Sequence, residues 1–106
     1  MKNGKQAGNI AALAALVACA WSGALFAADI SNGKRLYASY CASCHGAGGI
    51  SVMPGAPNFQ RGERLMQPDM ALHAHVQTGK NACPSFRGML SDREIMDVVA
   101  HLRTMN

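Results

Sequence analysis

Three segments of the chain carry apolar residues at helical spacing, and stretches rich in glycine and proline separate them. The first predicted helix runs from Ile30 to Ala42, with Asp29 or Ser31 as its N-cap. Residues three and four positions apart share one face of a helix. One such face of this helix comprises Gly33, Leu36, Tyr37 and Tyr40.

The second predicted helix begins at Pro68 and ends at Gly79, because proline favours the first turn and glycine the position just past the end. Leu72 and Val76 mark its buried side.

The third predicted helix is the most sharply defined. Ser91 and Glu94 have the spacing of a capping box. The apolar stripe that follows consists of Ile95, Val98, Val99 and Leu102. Between the first and second helices, the segment Gly46–Gln67 is too long for an idle connector, so we expect it to pack on something. Since no segment alternates as a strand does, the predicted fold is all-α.

The N-terminal segment is different in composition. Lys2 and Lys5 are followed by an uncharged, apolar stretch from Ile10 to Ala28. This layout predicts a signal peptide at residues 1–27, with cleavage near Ala27 or Ala28, and a mature domain at residues 28–106. Two alternatives stay open: a lipoprotein signal, in which Cys19 ends a lipobox, and an uncleaved anchor of about 20 residues. Each of the three possibilities delivers the domain outside the cytoplasm, into the periplasm.

The mature domain is small and contains an odd number of cysteines. A domain of this size needs a disulfide, a metal or a large cofactor to complete its core. Its three thiols, Cys41, Cys44 and Cys83, cannot all pair within one chain, so they indicate another use. From Ala28 onward, eight Lys and Arg stand against six Asp and Glu, a difference of +2. With no basic run and no interleaved aromatic stripe, no nucleic-acid partner is expected.

The segment from Cys41 to His45 has the pattern C-x-x-C-H, which is typical of covalent haem attachment. Two thiols three positions apart can reach the two vinyl groups of one porphyrin, and the adjacent imidazole can then coordinate the iron. We therefore predict one covalent haem c, with His45 as an iron ligand. The alternatives are a thioredoxin-like redox pair, for which no βαβ context is present, and half of a zinc site, for which the second pair is missing.

The mature chain resembles the class I cytochrome c family. The match is carried by Gly33, Tyr37 and the C-x-x-C-H segment in the first helix, and by the residues from Leu90 to Arg103 in the last. The resemblance implies a small cytochrome c-like fold of three main helices and long loops wrapped around one covalent haem. It also implies that the first and last helices cross, with Gly33 and Leu102 at the matching positions, and that an aromatic residue is usual where His101 stands.

The segment from Ala56 to Phe59 resembles the part of the family in which a proline carbonyl accepts a hydrogen bond from the proximal imidazole. By this resemblance Pro57 orients His45 and increases its donor strength.

The chain departs from the family at the sixth iron ligand, which is usually a methionine followed by proline. Here the corresponding residues are Cys83 and Pro84, with Phe86 shortly after. The resemblance implies that the sulfur of Cys83 faces the iron opposite His45. A thiolate stabilises Fe(III), so this ligand predicts a low potential. Other possibilities stay open, namely an empty position, a free Cys83 in an intermolecular disulfide, or one of the donors Met53, Met66, Met89, Lys80, His73 and His75, the two histidines being predicted as solvated.

These features predict an electron-transfer protein rather than an enzyme, with redox proteins as donor and acceptor. Lys34, Lys80 and Arg87 would favour an acidic partner. A membrane is a partner only if the N-terminal segment is lipidated or retained. The alternative function is a haem subunit or sensor whose cysteine ligand can exchange, as the family resemblance suggests for sulfur-compound oxidation.

Overall fold

The computed structural model describes residues 26–106, so the predicted signal peptide, its lipobox and the alternative anchor lie almost wholly outside the described residues. Across residues 26–106 there is no β-strand, and no helix has both the length and the apolar character needed to cross a membrane. The prediction of an all-α domain is confirmed. The helices are α1 (Ile30–Tyr40), α2 (Ala42–His45), a 3₁₀ helix (Phe59–Arg61), α3 (Asp69–Thr78) and α4 (Asp92–Leu102).

Helix α1 begins where the sequence predicted and ends two residues earlier. The side chain of Asp29 caps it by accepting a hydrogen bond from the backbone N–H of Asn32 at 3.0 Å. The helix ends at Tyr40, and α2 follows after a break at Cys41. Of the residues on the predicted face, Gly33, Leu36 and Tyr37 are buried, whereas Tyr40 is 43% exposed and its ring lies 5.9 Å from that of Phe86.

Helix α3 lies between Pro68 as N-cap and Gly79 as C-cap, as predicted. Its buried side differs from the prediction. Leu72 is buried, but the second buried residue is His73 rather than Val76, which packs only partly against the core. The expectation of a solvated His73 is therefore wrong. The reason is a partner on α4: the Nε2 atom of His73 lies 3.2 Å from a carboxylate oxygen of Asp92.

Helix α4 has the predicted capping box, in which the Ser91 hydroxyl accepts from the Glu94 amide and the Glu94 carboxylate accepts from the Ser91 amide. The predicted stripe is buried in full. The whole core comprises Leu36, Tyr37, Phe59, Leu65, Leu72, Phe86, Leu90, Ile95, Val98, Val99 and Leu102.

Helices α1 and α4 cross at Gly33, with backbone against backbone. A Cβ atom on Gly33 would lie 1.9 Å from the carbonyl oxygen of Asp97 and 3.0 Å from the amide nitrogen of Val98. The predicted crossing is present, but its position on α4 is corrected from Leu102 to Asp97 and Val98. Leu102 instead buries its side chain in the core, since a backbone crossing at Gly33 requires no large side chain opposite it.

Asp97 adds a polar contact at this crossing that the sequence did not predict. Its side chain is buried, and its two oxygens accept hydrogen bonds from the backbone N–H of Asp29 at 2.7 Å and from the side-chain amide of Asn32 at 2.9 Å. An acidic residue in an amphipathic helix usually lies on the solvated face. Here it ties the beginning of α1 to the middle of α4.

Candidate functional site

The two thiols of the C-x-x-C-H segment lie at the junction of α1 and α2. Cys41 is the residue between the helices and Cys44 lies within α2; both are partly buried and neither forms a disulfide. Burial, together with the neighbouring Cys83 and Cys44, raises the pKa of Cys41 to about 11. A redox-active thiol of the thioredoxin type needs a lowered pKa. The environment of Cys41 therefore argues against that alternative.

The zinc alternative also lacks support in the structure. Among residues 26–106, no three His, Cys, Asp or Glu side chains come together in a group that could hold a metal ion. A structural zinc site needs four such ligands.

The side chain of His45 is oriented by a backbone carbonyl. Its Nδ1 atom lies 3.1 Å from the carbonyl oxygen of Pro57. A carbonyl oxygen can only accept, so Nδ1 carries the proton of the neutral ring and Nε2 keeps its lone pair. The contact implied by the family resemblance is thus present, and it leaves the nitrogen on the far side of the ring able to coordinate a metal.

Phe59 contacts the same imidazole from a second direction, and sequence reasoning did not identify it. The rings of Phe59 and His45 are stacked, with centroids 4.3 Å apart and planes 19° from parallel. Phe59 lies in a loop that has no periodic pattern, so no spacing signal pointed to it.

Tyr37 connects these rings to the core. Its hydroxyl donates a hydrogen bond to the carbonyl oxygen of Gly46 at 2.6 Å, and its ring meets both Phe59 and His101 edge-on. Burial, with a smaller effect of Cys41, raises the pKa of Tyr37 to about 12. His101, which occupies the family's usual aromatic position, makes a ring contact there as an aromatic residue would. Burial lowers its pKa, and the charge of Lys34 lowers it further.

Cys83 lies in a tight turn after α3. The backbones of Lys80 and Cys83 exchange two hydrogen bonds of 3.0 Å each. The turn requires glycine at position 79, where φ is +72° and a Cβ atom would lie 2.8 Å from the carbonyl oxygen of Cys83. The Ser85 hydroxyl anchors the end of the turn by donating to the carbonyl oxygen of Gln77 at 2.7 Å.

The thiol of Cys83 lies on the turn after α3, within electrostatic range of the attachment pair. It is partly buried, and it is close enough to Cys41 and Cys44 for their charges to affect one another's pKa. Burial raises the pKa of Cys83, while a backbone hydrogen bond from Lys80 lowers it.

The other donors considered for the sixth position lie in different environments. Met66 is 96% exposed, Met89 is 60% exposed and Met53 is 38% exposed. His73 is paired with Asp92. His75 is partly buried near His45, and burial, with smaller effects of Lys80, Arg64 and His45, lowers its pKa.

The donor set fits a haem c. It contains two reduced thiols at the required spacing, an imidazole oriented by the Pro57 carbonyl, and a third reduced thiol at Cys83. The long loop Gly46–Gln67 also presents apolar side chains at the surface, among them Ile50 at 54% and Val52 at 67% exposure. An apolar surface of this kind suits contact with a porphyrin.

Comparison with known proteins agrees with this donor set. The family model described as cytochrome c oxidase, cbb3-type, subunit III matches residues 28–102. Cytochrome c6 of Thermosynechococcus vestitus is 38% identical over 98 residues, which is 89% of this chain and 86% of the relative. Cytochrome c6 of Parathermosynechococcus lividus is 42% identical over 79 residues, covering 71% of this chain and 88% of the relative.

A solved structure also resembles the chain. Cytochrome c6 of the diatom Phaeodactylum tricornutum superposes with a TM-score of 0.59 at 32% identity, covering 73% of this chain and 94% of that chain. Sequence and fold therefore point to the same family. The chain belongs to the cytochrome c family as a class I, monohaem member, and it is an electron-transfer protein with one covalent haem c rather than an enzyme.

Proposed function

We propose that this protein is an exported one-electron carrier of low potential, in which His45 and Cys83 are the axial ligands of the haem iron. The observation that supports the proposal best is the orientation of His45: the carbonyl oxygen of Pro57 lies 3.1 Å from Nδ1, so Nε2 keeps its lone pair for a metal. Cys83 is partly buried on the turn after α3 and lies within electrostatic range of Cys41 and Cys44. The bound haem supplies the Fe(III)/Fe(II) couple that accepts and releases one electron.

Cys41 and Cys44 are the attachment residues. Covalent attachment requires reduced thiols, and Cys41 and Cys44 form no disulfide. Burial is the main cause that raises the pKa of Cys41 to about 11, so this thiol is protonated at neutral pH. The backbone between the two cysteines is hydrogen-bonded, with the Cys44 amide donating to the Cys41 carbonyl at 3.2 Å, and this bond fixes their spacing.

His45 is the proximal ligand in this proposal. The carbonyl oxygen of Pro57 accepts a hydrogen bond from the Nδ1–H group of His45 at 3.1 Å. This bond increases the electron density at Nε2. Stronger donation stabilises the ferric state. Because the acceptor is a backbone atom, substitution of the Pro57 side chain alone would not remove it.

Cys83 supplies the larger effect on potential. A metal binds the deprotonated thiol, so coordination must overcome the burial that raises the pKa of Cys83. The resulting anionic sulfur stabilises Fe(III), whereas the neutral thioether of methionine favours Fe(II). We expect a potential lower by roughly a few tenths of a volt than in a methionine-ligated relative, within the wide range that axial ligands span.

Location and partners follow from the same proposal. Residues 1–27 act as a signal peptide and place the domain in the periplasm. Lys34, Lys80 and Arg87 are exposed, so they are available to an acidic redox partner.

A second candidate function rests on the thiol of Cys83 itself. Its sulfur lies 3.8 Å from the Pro84 carbonyl oxygen, and a Lys80 amide donates to it. Because neither contact is a strong hydrogen bond to a charged group, Cys83 would be able to exchange as a haem ligand. The protein would then act as a sensor or haem subunit, for example in sulfur-compound oxidation.

The test uses the full chain expressed in a host with haem c maturation. We expect the purified protein to be heavier than its mature polypeptide by one haem, and Cys41→Ser and Cys44→Ser each to lose one thioether bond. Ser43→Ala, between them, serves as the matched control and should keep both bonds. Electron paramagnetic resonance of the ferric protein should show thiolate coordination that is absent from Cys83→Ala.

Carbon monoxide separates the two functions. A carrier with a fixed sixth ligand should bind CO slowly and incompletely after reduction, whereas an exchangeable cysteine predicts rapid and complete binding. A colourless protein with the mass of the polypeptide alone would overturn both.

A further inference from the structure

Two groups contact the His45 imidazole, and they oppose different motions of the ring. The carbonyl oxygen of Pro57 lies 3.1 Å from Nδ1, so it resists rotation of the imidazole about the Cβ–Cγ bond of His45. The ring of Phe59 lies against the face of the imidazole, with centroids 4.3 Å apart and planes 19° from parallel, so it resists tilting. An isolated hydrogen bond would leave tilting free.

Phe59 is itself held firmly. It is 9% exposed, and its backbone N–H donates to the carbonyl oxygen of Gly49 at 2.8 Å. The preceding Asn58 caps the 3₁₀ helix by accepting from the backbone N–H of Arg61 at 3.1 Å, which fixes the direction of the Phe59 backbone.

The Phe59 ring also contacts the core. Tyr37 meets it in an edge-to-face arrangement with centroids 6.4 Å apart, and the Tyr37 hydroxyl donates to the carbonyl oxygen of Gly46, the residue that follows His45. Edge-to-face and stacked arrangements are the favourable geometries for aromatic pairs. The aromatic rings thus form a continuous support from the core of α1 to the imidazole.

From this geometry we propose that Phe59 is a positioning residue for the proximal ligand: with the Pro57 carbonyl, its ring fixes the plane of the His45 imidazole and so sets the electronic environment of the iron. The inference rests on the proposed role of His45 as a ligand. Phe59 does not touch the iron in this account; it acts only through His45.

The test compares Phe59→Leu with the wild-type holoprotein. Leucine keeps the site apolar but removes the flat ring, so the imidazole samples more orientations. We expect the low-spin ferric resonance to broaden or to split into two sets of g-values, and the midpoint potential to rise because the hydrogen bond to Pro57 is less well aligned. Phe59→Tyr keeps the aromatic ring and should therefore have the wild-type spectrum.

A matched core variant separates positioning from general loss of packing. Ile95 is fully buried on α4, and Ile95→Val removes core volume without changing an aromatic contact. It should leave both the resonance and the potential unchanged. The proposal is overturned if Phe59→Leu keeps the wild-type resonance and potential, or if Ile95→Val changes them in the same way. If the leucine variant yields no holoprotein, Phe59→Ile is judged by the same criteria.

Failure of the underlying ligand assignment would be seen separately. Wild-type protein labelled with ¹⁵N-histidine should show coupling of a histidine nitrogen to the ferric iron. Absence of that coupling would overturn the role of His45, and with it the role of Phe59, before any variant is compared. Presence of the coupling with an unaltered Phe59→Leu spectrum would overturn the role of Phe59 alone.

Discussion

The crossing of α1 and α4 and the segments that carry the proposed iron ligands depend on residue identity to different degrees. At the crossing, residue identity decides the structure: only glycine at position 33 admits the backbone of α4, and the buried side chain of Asp97 bonds to the start of α1. At the proposed ligands, backbone groups contribute more, since His45 is bonded to a carbonyl in addition to its contact with Phe59, and two backbone hydrogen bonds hold the turn at Cys83. The crossing should therefore tolerate little change, while the side chain presented by a loop can change with small cost to the fold.

Substitution of Gly33 should have the largest effect on stability. In Gly33→Ala the new Cβ atom would lie 1.9 Å from a backbone oxygen, so the helices must separate. We expect a loss of about 3 kcal/mol or more in the free energy of unfolding, at or above the upper end of typical overpacking costs. Chemical denaturation followed by circular dichroism measures it.

Gly48→Ala is the matched control for that variant. Nothing lies within 4 Å of the position of its Cβ atom, so its stability should stay within about 0.5 kcal/mol of wild type. Equal losses in the two variants would contradict the backbone crossing.

Removal of the Asp97 carboxylate should have the next largest effect. Asp97→Ala leaves the amide of Asp29 and the side chain of Asn32 without their acceptor. An unsatisfied buried donor costs about 1–3 kcal/mol, so we expect a total loss of roughly 2–3 kcal/mol. Asp97→Asn keeps one acceptor oxygen and should lose less. The midpoint potential should not move in either variant, and a moved potential would show that the crossing and the iron site are not independent.

The smallest effect should be the contribution of His101 to the pH dependence of the free energy of unfolding. Burial, and then Lys34, lowers the pKa of this histidine in the folded state, so the unfolded state binds the proton more readily. Its contribution to stability is therefore present above about pH 6.5 and is lost as the pH falls below the unfolded pKa.

The variant His101→Phe removes this proton and keeps the edge contact with Tyr37. Between pH 7.5 and pH 5, wild type should lose more stability than the variant, by less than about 1 kcal/mol. Parallel curves of stability against pH for the two proteins would contradict the assignment.

The features that the sequence predicted correctly depend on local signals, and those that it missed depend on distant partners. The helices were predictable because their signals are local: the capping box at Ser91 and Glu94 and the apolar stripe of α4 are both present as expected. The residues that were mispredicted depend on distant partners. His73 is buried because Asp92 lies beside it, and the role of Asp97 depends on residues more than 60 positions away.

The residues of the candidate site also differ in whether a local sequence signal indicates them. The C-x-x-C-H segment has a fixed spacing that indicates its chemistry directly. Pro57 came from family resemblance, since a carbonyl acceptor leaves no trace in residue type. Phe59 was missed because stacking on His45 arises from the path of a long loop, and that path has no periodicity to read.

A redox titration of Cys83→Met against wild type tests the central claim most directly. Backbone hydrogen bonds hold the turn from Gly79 to Cys83 and do not depend on the side chain at position 83. The fold should therefore persist in the variant, and circular dichroism can verify this. Met89→Leu, which changes an exposed thioether, is the control and should leave the midpoint unchanged. If the thiolate of Cys83 is the sixth ligand, the methionine variant should have a midpoint higher by roughly a few tenths of a volt. A midpoint equal to that of wild type would contradict thiolate ligation.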